Sequence, residues 1–285
     1  MTAHYSIHDN IAVITLDNPP VNSMGIVTRT AIGEGMAKAI ADASVAAIVI
    51  TGANGIFTGG ADIREFGLPV GMQSPNLHDL IRTFEASPKP VISAINAVSM
   101  GGGTEISLGA HYRVAAPNVK IGLPEVKIGL LPGAGGTQRL SRVVGPELAL
   151  QMIVSGDAVA AEVLRDAGAI DRIIKGDFLT GAVAFAREVA AQRPLPLARD
   201  RVIDFPNAAA FFAEAKASVK AANPHYPAPL ACVEAIEASV LRNFDDGLAY
   251  EFTRFTELLD TPESAELRAA FFATRAAKKP PKTGE

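Results

Sequence analysis

Three stretches of this chain combine glycine with a carboxylate or a proline in a way that suits chemistry on a carbonyl. They are Phe57-Thr58-Gly59-Gly60-Ala61-Asp62-Ile63, Met100-Gly101-Gly102-Gly103-Thr104-Glu105, and Ile121-Gly122-Leu123-Pro124-Glu125 running on to Pro132-Gly133-Ala134-Gly135-Gly136-Thr137. Paired glycines remove Cβ sterics, so backbone N–H groups can approach a ligand closely. Gly101–Gly103 also lead into a helical pattern, whose first N–H groups have no partner in the helix and sit at its positive dipole end. Two such loops at neighbouring strand ends can aim two donors at one oxygen, an arrangement that stabilises a carbonyl as it gains negative charge. Glu105 falls in the first turn of that helix, and Glu125 follows a short strand twenty residues on. That separation leaves room for helix, turn, strand and loop, so the two carboxylates can converge and divide acid and base roles between them. Each feature alone has a plainer reading: Glu105 as a carboxylate favoured by a helix N-terminus, Glu125 as a solvated loop residue, and the Pro132–Gly136 run as a turn feeding a helix. Their joint order and spacing favour the site.

Other chemistries fit less well. Gly133–Gln138 begins like a dinucleotide fingerprint, but Gln138 stands where the third glycine belongs and no first strand of a βαβ unit precedes it. The chain has no phosphate loop of the GxxxxGK[ST] type. Five scattered histidines (His4, His8, His78, His111, His225) and one cysteine, Cys232, offer no metal-ligand spacing, so no metal is expected. Ala97-Val98-Ser99-Met100-Gly101 sits between strand and helix as a nucleophile elbow would. Its first glycine is missing, and only His225 lies late enough to complete a triad in that order. Ser99 is therefore read as a turn residue, with a serine hydrolase kept as a rival.

These residues need a scaffold, and the first part of the chain supplies one by alternating strands and helices. Tyr5–His8 and Ala12–Leu16 read as strands around Asp9-Asn10, Thr28–Ala43 as a helix, and Ala46–Ile50 as a buried strand. Gly55–Asp62 reads as a glycine-rich loop, Leu77–Ala86 as a helix and Pro90–Ile95 as another buried strand. Arg113–Ala116 and Val119–Ile121 are short strands. The rest, to about Gln192, is mostly helical, with one strand near Ala169–Ile174. Such alternation implies parallel strands with helical crossovers, an α/β fold. Beyond Arg193-Pro194 the pattern is helical only: Ala208–Ala222, Leu230–Asn243, Gly247–Leu259 and Pro262–Ala277, the last begun by Thr261 as N-cap with Pro262 at the first helical position. We divide the chain into a core over 1–192, a helical segment over 193–277 and a polar, Pro-rich tail or linker over 278–285.

With 48% hydrophobic and 20% charged residues over 285 positions, the chain can bury a large core. A net charge of −4 argues against a nucleic-acid partner. There is no membrane-length apolar run and no secretory signal pattern, and the lone cysteine rules out an internal disulfide framework, so a reducing, cytoplasmic setting is expected.

The stretches FTGGADIREF, SPKPVISAINAVSMGGGTEISLG and KIGLPEVKIGLLPGAGGTQRLSRVVG resemble the enoyl-CoA hydratase/isomerase (crotonase) superfamily. The resemblance implies a ClpP/crotonase-like spiral of ββα units, here with an all-helical C-terminal extension. By motif, Ala61 and Gly102 match the two oxyanion-hole amides and Glu105 and Glu125 the two catalytic carboxylates. Gly133 matches a loop lining the water and acyl site, and Gly59 a backbone position near the CoA moiety. The implied reaction is hydration of a trans-2-enoyl-CoA to a 3-hydroxyacyl-CoA in fatty-acid β-oxidation, with Glu105 as base toward water and Glu125 as proton donor to C2. Isomerisation of a 3-enoyl to a 2-enoyl thioester would use the same groups. Isomerase-only or hydrolase chemistry on CoA thioesters, and a non-catalytic acyl-CoA-binding role, are the alternatives. The segments DNPPVNSM, REFGLPVGMQSPNLHDLI and GAHYRVA and the helical end are similar to the hydratase part of multifunctional fatty-acid oxidation enzymes. The chain is then either a stand-alone relative or the first part of a longer protein. No cofactor is expected beyond the coenzyme A carried by the substrate, with NAD only where a 3-hydroxyacyl-CoA dehydrogenase region follows. The expected partners are the acyl-CoA substrate and either further copies of the chain or that fused region. The helical end departs from the trimer-forming tail of simple hydratases, which places trimerisation in doubt. Ala97 and Met100 are mild departures from the family pattern.

Overall fold

A computed structural model describes residues 2–277; the tail expected over 278–285 lies outside the described residues. The chain opens with an antiparallel hairpin, β1 (Ala3–His8) and β2 (Ile11–Leu16). Asp9 turns it at φ +56°, a conformation that a short polar side chain tolerates. Helix α1 (Ile26–Ala41) follows.

From there one unit repeats: a strand in a first sheet, a short strand in a second, then helix. β3 (Ala47–Gly52) and β4 (Ile56–Thr58) precede α2 (Pro69–Met72) and α3 (Leu77–Glu85). β5 (Val91–Ile95) and β6 (Val98–Met100) precede α4 (Gly102–Gly109). β7 (Tyr112–Ala115) and β8 (Lys120–Gly122) precede α5 (Gly136–Val144) and α6 (Pro146–Ser155). β9 (Val159–Ala160), α7 (Ala161–Asp166), β10 (Arg172–Ile173) and α8 (Phe178–Val189) close the series. The first sheet runs β1-β2-β3-β5-β7-β10 and the second β4-β6-β8-β9. This is the expected α/β spiral of ββα turns.

The first sheet is buried on both faces, which is why β3 reads as an unbroken apolar run. Ile48 and Ile50 point into the larger core with Ile14, Leu16 and Phe57. Ala47 and Val49 point the other way, with Ile11, Val13 and Ile92, onto Val183, Phe185 and Ala186 of α8.

Three strands fall where the sequence pattern shows none: β4 inside the glycine-rich Gly55–Asp62 segment, β6 at the Ala97–Gly101 step, and β9. Each has two or three residues, too few to carry a period. The strand expected over Ala169–Ile174 shrinks to β10 for the same reason.

The helical segment contains α9 (Ala208–Ala222), α10 (Pro227–Leu241), α11 (Phe244–Leu259) and α12 (Pro262–Ala277). Two of these start three residues earlier than the apolar spacing indicates. Pro227 fills the first turn of α10, where its missing N–H costs nothing. Asn243 caps α11 by accepting from the Asp246 amide at 2.9 Å. Thr261 caps α12 as expected, accepting from the Ser264 amide at 3.2 Å. Helix α10 packs on α5, α6, α9 and α11. Its Ala231, Cys232, Val233, Ala235 and Ile236 are fully buried and share one core with the spiral. No described helix is long and apolar enough to cross a membrane.

Candidate active site

The two free amides come first, because the fold leaves them without partners. β4 and β6 run parallel side by side. Beyond β4, Gly60 turns at φ +99°, and a Cβ there would lie 2.6 Å from the Met100 carbonyl oxygen. The Thr58 hydroxyl ties this turn down, donating to the Asn22 carbonyl at 2.6 Å and accepting from the Gly60 amide at 3.0 Å. Beyond β6, Gly101 adopts φ +54°, ψ −129°, a conformation that only glycine takes up freely. Its amide donates to Gly122 at 3.0 Å, and α4 starts at the next residue. The backbone at Ala61 and Gly102 thus lies side by side: a Cβ built on Gly102 would lie 3.0 Å from the Ala61 nitrogen, and one on Gly60 3.2 Å from the Gly102 nitrogen. Within the described residues neither amide donates to another group of the chain.

Glu105 is one turn into α4 and buried. Its Oε1 accepts from the amides of Ala134 (2.7 Å) and Gly136 (3.0 Å). Burial pushes this carboxyl up to about 7, against those two donors and the Arg139 charge, which favour the ionised form. Glu125 opens a short 3₁₀ turn, Glu125–Ile128, and is also buried. Its Oε2 has no hydrogen-bond partner among the described residues. Burial, and then the Glu105 charge beside it, raise it well above the ordinary carboxylate range. The two carboxyls therefore differ in kind. One is held as an acceptor by two amides, and the other keeps an oxygen that no group among the described residues engages.

A third carboxyl was not legible in the sequence. Glu251 of α11 is completely buried. It accepts from the amides of Gly135 (2.6 Å) and Thr137 (2.8 Å) and from the Thr137 hydroxyl. Burial and the Glu105 charge push it up to about 8. One signal did exist: Glu251 continues the apolar stripe of Phe244, Leu248, Phe255 and Leu258 on its helix, an unusual place for a carboxylate.

Glu105 and Glu125, but not Glu251, border a cavity of about 480 Å³, within the usual range of small-molecule sites. Ala61, Gly102, Glu105, Glu125 and Gly133 line it. Its apolar wall is built by Phe66, Leu68, Met72 and Leu77 on one side and Phe252, Phe255 and Leu259 of α11 on the other. Phe66 meets Phe255 edge-to-face at 5.9 Å. Gly133 is backed by that same ring. The wall loop is anchored by Arg29, which pairs with Glu65 at 2.7 Å and donates to the carbonyls of Met24, Val70 and Pro75 at 2.8–3.1 Å. His78 also lines the cavity, edge-on to Phe252, and burial holds it below the ordinary histidine range.

Gly59, expected near the CoA moiety, lies exposed outside the cavity, with its amide donating to the Val21 carbonyl at 2.7 Å. One expectation needs correction. Ser99 is no turn residue: it lies in β6, fully buried, with its hydroxyl 3.4 Å from that of Thr104. His225 is exposed, so the two do not form the nucleophile and base of a hydrolase.

The model of the family described as "Enoyl-CoA hydratase/isomerase" matches residues 6–200. The peroxisomal bifunctional enzyme of Homo sapiens is 39% identical over 284 residues, 98% of this chain and 39% of that protein. The glyoxysomal fatty acid beta-oxidation multifunctional protein MFP-a of Cucumis sativus is 34% identical over 285 residues, 96% of this chain and 39% of that protein. The chain thus spans about two fifths of these relatives' length. Among solved structures, an enoyl-CoA hydratase from Mycobacterium avium subsp. paratuberculosis K-10 superposes with a TM-score of 0.69 at 22% identity, covering 96% of each chain. One from Bacillus anthracis gives 0.62 at 23%, covering 96% of this chain and 97% of that one. These likenesses show the crotonase fold. Since the match takes in every ββα turn that builds the two free amides and carries Glu105 and Glu125, this chain belongs to the enoyl-CoA hydratase/isomerase family.

Proposed function

We propose that this chain hydrates trans-2-enoyl-CoA thioesters to 3-hydroxyacyl-CoA, as a step of fatty-acid β-oxidation. One observation carries the reading. Two buried carboxyls in opposite environments share an apolar cavity with two partnerless amides. The thioester oxygen is placed between the Ala61 and Gly102 amides, which draw electron density from the conjugated C2=C3 bond and stabilise the enolate that forms. Glu105, held as an acceptor by two amides, takes a proton from water as its oxygen bonds to C3. Glu125, kept protonated by its surroundings, gives its proton to C2. The net change adds one water across the double bond, and transfer of a proton from Glu105 to Glu125 resets the pair.

A 3-enoyl to 2-enoyl shift passes through the same enolate. The free Glu125 oxygen supports it as a second activity, because one carboxyl can remove and return a proton on a single face. All steps are acid–base, so no redox cofactor or metal is assigned. NAD enters this reading only with a dehydrogenase region beyond this chain, the arrangement that the relatives' bifunctional and multifunctional names suggest. The substrate, an acyl-CoA, is the one partner assigned. A cytoplasmic setting stays part of the reading because buried Cys232 needs no oxidising compartment. The human relative is named peroxisomal, and fractionation of cells expressing the full gene decides between the two.

The test follows the enoyl-thioester absorbance over a series of acyl chain lengths. Loss of absorbance at any length supports hydration. Binding of every acyl-CoA without turnover overturns it in favour of a non-catalytic binding protein.

A further inference from the structure

We infer that Glu251 is a positioning residue for this site: a carboxylate from the helical C-terminal segment that clamps the Pro132–Thr137 loop and so sets the two amides that hold Glu105. This rests on the assignment of Glu105 as the base.

The geometry is an alternation. Four successive amides of one loop point to two carboxylates by turns. Ala134 and Gly136 donate to Glu105, while Gly135 and Thr137 donate to Glu251. The loop therefore lies between the two acids, and neither set of bonds can shift without dragging the other. Glu251 has no cation within salt-bridging distance among the described residues, so its partners are those amides and the Thr137 hydroxyl alone. A buried carboxylate held only by one loop is an expensive way to fill space. Its effect is to make that loop rigid, since each of these hydrogen bonds contributes roughly 0.5–1.5 kcal/mol. The space around the loop is already full. A Cβ on Gly136 would lie 2.7 Å from Pro132 and 2.9 Å from the Glu105 Oε1, so Glu105 and the loop fit in one arrangement. Glu251 does not line the cavity. It acts through the loop and touches no substrate.

Glu105 and its loop belong to the spiral, whereas Glu251 lies 116 residues beyond Gly135, on α11. The helical segment therefore completes the site from within the same chain.

The experiment is a double-mutant cycle on the full chain. Glu251→Ala is expected to lower kcat for enoyl-CoA hydration about 10- to 100-fold, a loss of ~1.4–2.7 kcal/mol. KM should stay within about threefold, because the thioester amides are untouched. In a Glu105→Gln background the same change should lower the residual rate by less than about threefold, since its effect runs through Glu105. Equal losses in both backgrounds, or no loss of kcat, would overturn the inference. Should Glu251→Ala not fold, Thr137→Val removes the hydroxyl that donates to Glu251 and accepts from the Gln138 side chain, leaving the loop amides in place; it is expected to lower kcat several-fold at constant KM, and an unchanged kcat there counts against the clamp. A readout independent of the reaction is hydrogen exchange in peptides spanning 132–138. Either variant should speed it, and unchanged protection refutes the clamp. An inactive wild type with this accelerated exchange would refute the hydratase reading while upholding the clamp.

Discussion

Replacing Gly102 by alanine separates catalysis from folding more sharply than any other single change here. The new methyl would lie 3.0 Å from the Ala61 amide nitrogen and 2.7 Å from the Leu77 Cδ1. The first contact places carbon in the gap between the two donors, where the thioester oxygen has to sit within about 2.9 Å of each. Loss of one oxyanion-hole donor typically lowers kcat by ~10²–10³, or about 3–4 kcal/mol, and a methyl in the gap obstructs both. The fold is affected far less. Leu77 presents the far end of a flexible side chain, which can turn away. Alanine in place of glycine at the start of α4 returns up to about 1 kcal/mol of helix propensity. With roughly 2–4 °C of Tm per kcal/mol in a chain of this size, the melting temperature should stay within about 4 °C of wild type. The assay pairs initial rates from the enoyl-thioester absorbance with a thermal melt of the same sample. A hydration rate within about threefold of wild type, under ~0.7 kcal/mol, would refute the placement of the thioester oxygen. A large drop in Tm alongside the lost activity would refute the separation.

Other consequences are simpler to state. Arg29→Leu leaves Glu65 without its ion pair and frees the Val70 and Pro75 carbonyls of the wall loop, and that of Met24 before α1. Breaking a buried pair costs about 3–5 kcal/mol, so limited proteolysis should cut within residues 66–75 of the variant and spare the wild type. Ser99→Ala removes a buried hydroxyl away from the cavity and should leave kcat unchanged, whereas a serine hydrolase would lose its activity. Stability should fall as pH rises from 6.5 to 8. Glu105 and Glu251 have folded pKa values raised to about 7 and about 8, above the unfolded carboxylate range, so their contribution is complete below that range and is lost as pH climbs through about 7 to 8. Urea midpoints at the two pH values check this, and a rising midpoint contradicts it. Hydration should show the opposite acid-side trend, its kcat rising with pH through about 7 as Glu105 ionises; a rate that falls from pH 6 to 7 contradicts the base assignment.

What the sequence made legible follows a physical line. Glu105, Glu125, Ala61, Gly102 and Gly133 are all read from contiguous motifs, and each of those motifs bends the chain locally, so residue types at fixed spacing carry the geometry. The strand pattern was legible where strands were long and buried on both faces, as in β3, and was lost in β4, β6 and β9, which are too short to repeat. The glycines serve two ends that the sequence does not separate. Gly102 does present a bare amide to the cavity, but Gly136 is small because Glu105 and Pro132 press on it, and Gly133 because the Phe255 ring does. Those contacts come from packing between distant parts of the chain. Glu251 is the extreme case, since its partners lie more than a hundred residues away, and nothing local marks it except a carboxylate on an apolar helix face. The cavity wall shared by Phe66 and Phe255 is hidden for the same reason.

The central claim is that Glu105 and Glu125 divide the hydration between them, one taking the proton from water and the other giving one to C2. The most direct measurement is the steady-state kcat for hydration of crotonyl-CoA by Glu105→Gln and by Glu125→Gln, each beside wild type. Glutamine keeps the shape of either side chain and removes its proton chemistry. General acid–base catalysis by a positioned group contributes about 10²–10⁴-fold, and both variants are predicted to lose at least the lower figure while still binding the thioester. Hydration by either variant at a rate near that of wild type would contradict the account.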